Sequence, residues 1–186
     1  LLALSGSNAI DYSGQIGRTG VATPVDILVQ SGGGHKGRHC THILVHGLDY
    51  AKNQRGFYAV LIDATTGNIL ISGMFDIWRE AEEAARMEAF LNEAGAGCIG
   101  AFAVADEASV NLTPGLERAL LAFGLRTGAY EKRQAVLFGV RFSFAAIGVK
   151  GAPEGSAIQT WSPGEFGGCV GHAVACGALR PAEGGA

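Results

Sequence analysis

The chain has 186 residues, with 14 lysines and arginines against 17 acidic residues and a formal net charge of −3. That length holds one sizeable core, and the acidic balance excludes the broad basic surface of a nucleic-acid-binding protein. Charged residues make up 17% and hydrophobic ones 48%, leaner in charge than the ~25% of an average free domain, which points to contacts with other protein chains.

Residues 1–24 show no hydrophobic period and are expected to form an extension that is ordered by lying on a surface. The chain opens on "LLAL" and not on methionine, so a processed or incomplete start is expected. That run is too short for a signal h-region of ~7–15 residues, and no apolar run elsewhere reaches the ~20 needed for a membrane span. "VDILVQ" reads as a strand, "SGGGHKGRH" as a loop, and "CTHILVHG" as a second strand with Cys40, His42, Leu44 and His46 on one face. "FYAVLID" is apolar throughout, as in a central strand; "ATTG" turns it and "NILISGMF" returns it.

The clearest helix follows in "REAEEAARMEAFLNEAG", where Ala84, Met87, Phe90 and Leu91 make an apolar stripe. Asp76 is placed to cap its start, and Gly95 to stop it. "CIGAFAVA" reads as a buried strand. Thr113 and Pro114 mark the cap and first turn of a second helix with a stripe at Leu116, Leu120 and Phe123. "AVLFGVRFSFAAIGVKG" reads as strand interrupted at Gly139, and the segment from 152 to 186 as loop-rich with a short apolar "CVGHAVAC". This order predicts one α+β (mixed α/β) domain over 25–175, with two main helices packed on a twisted sheet, and a tail over 176–186.

Several residue groups bear on function. Cys40, His42 and His46 share a strand face, but i and i+4 on a strand lie ~13 Å apart, too far to ligate one metal ion. "NLT" at Asn111 is an N-glycosylation sequon, while its threonine also reads as the helix cap. Asp76 and Trp78 in "FDIW" read either as a helix cap with a core tryptophan or as an aromatic wall for a sugar. There is no G-x-S-x-G, H-E-x-x-H or P-loop, and "SGGGHKG" lacks the G-K-[ST] ending of a phosphate loop. The chain is therefore expected not to be an enzyme and to hold neither metal nor cofactor.

"RGFYAVLIDATTGNILISGMFDIW", "VADEASVNLTPGLERALLAFG" and "GVRFSFAAIGVKG" occur in the order found in the ILEI/PANDER (interleukin-like EMT inducer) domain family, which this chain resembles from about Val25 to about Cys169. The family includes secreted cytokine-like proteins and the stem domain of protein O-mannose N-acetylglucosaminyltransferase. The resemblance implies a compact fold of twisted, largely antiparallel sheets packed with helices, no catalytic apparatus, and an extracellular or cell-surface location. In the stem domain a sugar is held by two arginines and an aspartate, and the matching positions here are Arg55, Asp106 and Arg141. Such a set suits a neutral polar ligand, because guanidinium forks donate and a carboxylate accepts; it equally suits a structural ion pair. The family's last motif usually reads Arg-Asp-x-Trp; here it reads "RFSF", with Phe142 in place of the acid and Phe144 in place of the tryptophan.

Cys40 and Cys169 fall near two cysteines of the cytokine-like members, whose usual partners lie upstream of anything in this chain. An extracellular setting implies at least one disulfide among Cys40, Cys169 and Cys176, with Cys98 left as a buried thiol. Two functions follow as expectations. The first is a non-catalytic building block of a larger surface or filamentous assembly, with other protein chains as partners. The second is a lectin-like domain holding a glycan at Arg55, Asp106 and Arg141.

Overall fold

The computed structural model describes residues 8–126, 139–162 and 173–182. Ten strands and two α-helices are found among them: β1 (Ala9–Asp11), β2 (Ile27–Gly33), β3 (His42–Val45), β4 (Leu48–Asp49), β5 (Gly56–Ile62), β6 (Ile69–Phe75), α1 (Glu82–Asn92), β7 (Ile99–Asp106), α2 (Pro114–Leu121), β8 (Ser143–Val149), β9 (Ile158–Ser162) and β10 (Val174–Ala178). Strands β6-β5-β7-β8-β9 form one antiparallel run. Strands β1-β10-β2-β3-β4 form another, in which only the β1–β10 contact is parallel. The expected mixed fold with two helices is thus the fold observed.

Side-chain alternation explains the layering. Phe57, Ala59 and Leu61 of β5, Phe102 and Val104 of β7, and Phe144 and Ala146 of β8 face the helices, where they meet Met87, Leu91, Leu116, Leu120 and Phe123. Tyr58, Val60 and Ile62, with Ala101, Ala103, Ala145 and Ile147, face the other way onto Ile27, Val29, Ile43, Val45, Val174 and Cys176. The central strands are covered on both faces, which is why "FYAVLI" and "IGAFAVA" read as unbroken apolar runs. A Phe57–Phe102 edge-to-face contact, 6.4 Å between centroids, links β5 to β7, and Phe102–Phe123, at 5.2 Å, ties the sheet to the turn just past α2.

The Gly-rich segment is more ordered than a loop. β2 runs on to Gly33, and a 3₁₀ helix covers His35–Cys40. The reason is close backbone approach: a Cβ on Gly37 would stand 2.0 Å from the Gly32 carbonyl oxygen, and one on Gly33 would stand 2.1 Å from that of Arg141. Here β2 also changes partner. Its first residues pair with β10 and β3, whereas Gly32 and Gly33 pair in parallel with Ala105 and Asp106 of β7. Ser31 Oγ donates to the Val104 carbonyl and accepts from the Phe144 N–H, and Ser143 Oγ accepts from the Gly33 N–H. One shared strand therefore joins both sheets.

Three local expectations need correction or comment. The segment expected as an extension lying on a surface lies on its own domain: it contributes β1 beside β10, and Ile16 is fully buried in the core between the sheets. β10 runs through position 176, so the expected tail begins inside a strand, because Cys176 and Ala178 are core residues. Asp76 does not cap α1, whose N-cap is Ala81 without a side-chain bond; Asp76 instead accepts from Arg79 N–H in the turn before it. Thr113 does cap α2, its Oγ1 accepting from Leu116 N–H with Pro114 in the first turn. "LLAL" and Cys169 lie outside the described residues.

Candidate functional site

Pairing register brings the sequence candidates to one end of the molecule. Gly56 pairs with Ala105, so Arg55 and Asp106 flank the same rung between β5 and β7. Gly33 pairs with Asp106, and the Arg141 carbonyl lies against Gly33. Asp106 and Arg141 both adopt left-handed backbone conformations, with φ of 64° and 57°. Such conformations are uncommon for non-glycine residues and gather where local geometry is tightly determined.

The three do not form a single clamp. Asp106 is buried, and its Oδ2 accepts from both Nε and Nη2 of Arg38 in the 3₁₀ helix, at 2.9 and 2.8 Å. Arg55 forks onto Asp76 across the hairpin, Nε to Oδ1 at 3.0 Å and Nη2 to Oδ2 at 2.8 Å. Its guanidinium lies 4.0 Å from the centroid of the Trp78 ring. Arg141 meets the acidic end of β7 through its backbone: its N–H donates to Glu107 Oε2. The Arg141 side chain is exposed and makes no hydrogen bond or ion pair with the described residues.

Electrostatics follow from these contacts. Hydrogen bonding to Asp76, together with the charges of Asp76, Asp106 and Glu107, outweighs burial and holds Arg55 more firmly protonated than a free arginine. Burial works against ionisation of Asp76, but the Arg55 hydrogen bonds and charge outweigh it and keep the carboxyl below its ordinary range. Buried Glu107 is satisfied by hydrogen bonds: Oε1 accepts from the N–H and hydroxyl of Ser109, and Oε2 from Arg141 N–H. The carboxylates of the rim are thus engaged within the protein, while the Arg141 head faces water.

Trp78 is 46% exposed, so the expected core tryptophan is a surface residue. Its neighbour Ile77 takes the core position, fully buried. Val110 and Val140 are exposed at the same end. Asn111 is half-buried, and its Nδ2 donates to the Ile77 carbonyl at 2.7 Å, with the Trp78 carbonyl at 3.5 Å. Sequence reasoning missed Arg38, Asp76 and Glu107 as the partners. The acidic doublet in "ADEAS" was the available signal for Glu107; nothing in the Gly-rich segment singles out Arg38.

Among the described residues no cluster of three or more His, Cys, Asp or Glu side chains could hold a metal ion. Among the same residues no helix is long and apolar enough to cross a membrane. Cys40 is exposed, Cys98 and Cys176 are buried, and all three are free thiols in the structure. At least one bond among Cys40, Cys169 and Cys176 was expected; Cys40 and Cys176 are not joined to each other, and Cys169 lies outside the described residues.

The interleukin-like EMT inducer (ILEI) family model matches residues 55–152, from the arginine at the mouth of β5 to just beyond β8. The chain belongs to this family. The matched stretch holds more than half of the chain and includes Arg55, Asp76, Trp78, Asp106 and Arg141. The chain is also similar to the cell migration-inducing and hyaluronan-binding protein of Mus musculus, 32% identical over 102 residues, which is 55% of this chain and 7% of that protein. It therefore spans less than a tenth of that relative.

Proposed function

We propose that this ILEI domain is a non-catalytic extracellular module that docks other protein chains through the rim at the end of β5, β7 and β8, as a building block of a larger assembly. The observation that carries the reading is the exposed Trp78 held by the Arg55–Asp76 pair. Docking surfaces are enriched in tryptophan and arginine and depleted in other charge at their centre. Exposed Val110, Val140 and Arg141 surround the same end, and the rim carboxylates are engaged internally. Sedimentation velocity of the full chain over a concentration series tests this. Association that is lost in Trp78→Ala and in Arg141→Glu supports it; a monomer at every concentration refutes self-assembly.

A second reading has its own support. Arg141 and the face of Trp78 offer a donor and an aromatic surface suited to a glycan, and the mouse relative carries hyaluronan binding in its name. In this reading Arg55 and Asp106 act as scaffold, since each is held by another side chain. A glycan-array screen with wild type and Arg141→Ala separates the two: glycan signal dependent on Arg141, with no self-association, favours the lectin-like module.

A further inference from the structure

The sequon at Asn111 stands beside this rim, and a glycan attached there would stand next to Trp78 and Val110. The structure shows what its groups are doing. Asn111 Nδ2, the atom that would carry the sugar, points inward and donates to the Ile77 carbonyl at 2.7 Å. The Trp78 carbonyl, 3.5 Å from the same nitrogen, receives a weaker second contact. Those two carbonyls belong to the turn between β6 and α1, which Asp76 closes from the other side by accepting from the N–H of Arg79. Thr113, the third residue of the sequon, is also engaged: its Oγ1 accepts from Leu116 N–H as the α2 cap. A side-chain amide aimed at two successive carbonyls fixes the path of the chain at the residue that bears the ring.

We propose that Asn111 is a positioning residue for Trp78 and is not a glycan carrier in the folded protein: its amide clips the entry of α2 to the Ile77–Trp78 turn, sets the indole beneath Arg55, and keeps the rim bare. The proposal deepens the reading of the rim as a contact face, but Trp78 can be read without any partner, so the two can fail separately.

The test uses the full chain secreted from a eukaryotic host that N-glycosylates. The intact mass of the wild type should be that of the bare polypeptide and should not change on treatment with a peptide-N-glycosidase. In its amide spectrum the Asn111 side-chain N–H should exchange more slowly than those of exposed asparagines such as Asn53. Asn111→Asp replaces the donor with an acceptor facing the same carbonyls, and should shift the Trp78 indole N–H resonance, assigned with Trp161→Phe. Thr113→Ala destroys the sequon as completely but keeps the clip, and should leave that resonance in place.

A stoichiometric glycan on the wild type overturns the proposal. So does an Asn111 amide that exchanges as fast as exposed ones, or an unchanged indole resonance in a folded Asn111→Asp. Should Asn111→Asp fail to fold, the wild-type mass and exchange still decide. A clip that behaves as expected in a protein that binds nothing would leave the proposal standing and remove the docking function.

Discussion

Gly33→Ala is the sharpest probe of how the rim is held. The new Cβ would lie 2.1 Å from the Arg141 carbonyl oxygen, 2.7 Å from the Phe142 carbonyl carbon and 2.8 Å from the Ser143 nitrogen. All three are backbone atoms, so no side chain can swing aside, and contacts this short force a displacement of about 1 Å in a close-packed interior. If β2 stays in place, the 139–142 turn must move outward and weaken the Arg141 N–H bond to Glu107, a charge-assisted bond of about 1.5–3 kcal/mol. If the turn stays, Gly33 must shift and loosen its bond to Ser143 Oγ, about 1 kcal/mol. The cheaper adjustment, the shift of Gly33, comes on top of about 1–3 kcal/mol for overpacking, so the total is about 2–4 kcal/mol. Urea unfolding should show a lower midpoint with an unchanged slope. Gly95→Ala is the control, because nothing lies within 4 Å of its added Cβ, and it should be neutral within about 0.5 kcal/mol. A Gly33→Ala protein as stable as the control would refute the close approach of β2 to the Arg141 turn, and with it the account of how the rim is assembled.

Two further outcomes are expected. Asp76 has its carboxyl pKa depressed in the fold, so its pair with Arg55 contributes stability above the unfolded carboxylate range and loses it as pH falls through the depressed value. The stability gap between wild type and Arg55→Met should therefore be widest near neutral pH and shrink in strong acid; a wild-type Asp76 that titrates at or above 3.8 by NMR contradicts this. Without reductant, native Cys40 should label readily with a thiol reagent, whereas Cys98 and Cys176, buried and with raised pKa values, should label only on unfolding; an inert Cys40 would show that it is bonded elsewhere.

The elements most legible in the sequence are those whose signals are local. The apolar runs of β5 and β7, the stripe of α1 and the Thr113–Pro114 start of α2 each depend on residues a few positions apart. Arg55, Asp106 and Arg141 were found through ordered motifs, and the fold does bring them to one end. Their partners were not legible, because Arg38 reaches Asp106 only through the parallel pairing of Gly33 with Asp106 across 73 positions. The hairpin register that sets Arg55 on Asp76 is closer to hand, yet Asp76 also fitted a helix cap, and a local pattern cannot decide between two partners for one carboxylate. Trp78 shows the same limit. "FDIW" contains one core residue and one surface residue side by side, and the turn that separates them puts Ile77, not the larger tryptophan, inside.

The position of β10 has a consequence for the chain as it leaves the ribosome. Strands β5, β6 and β7 are neighbours in sequence and can pair as soon as residue 106 has emerged. Their other face, with Tyr58, Val60, Ile62, Ala101 and Ala103, is covered by a sheet that is completed only by β10, which sits between β1 and β2. About 70 more residues must be made before that strand appears, some seconds at ~5–20 residues per second. During that interval the strip of this face that Val174, Cys176 and Ala178 will cover lacks its partner strand. The length of that wait is set by where in the gene β10 is encoded, so slower synthesis of the segment before β10 should lengthen the time for which this strip stays open.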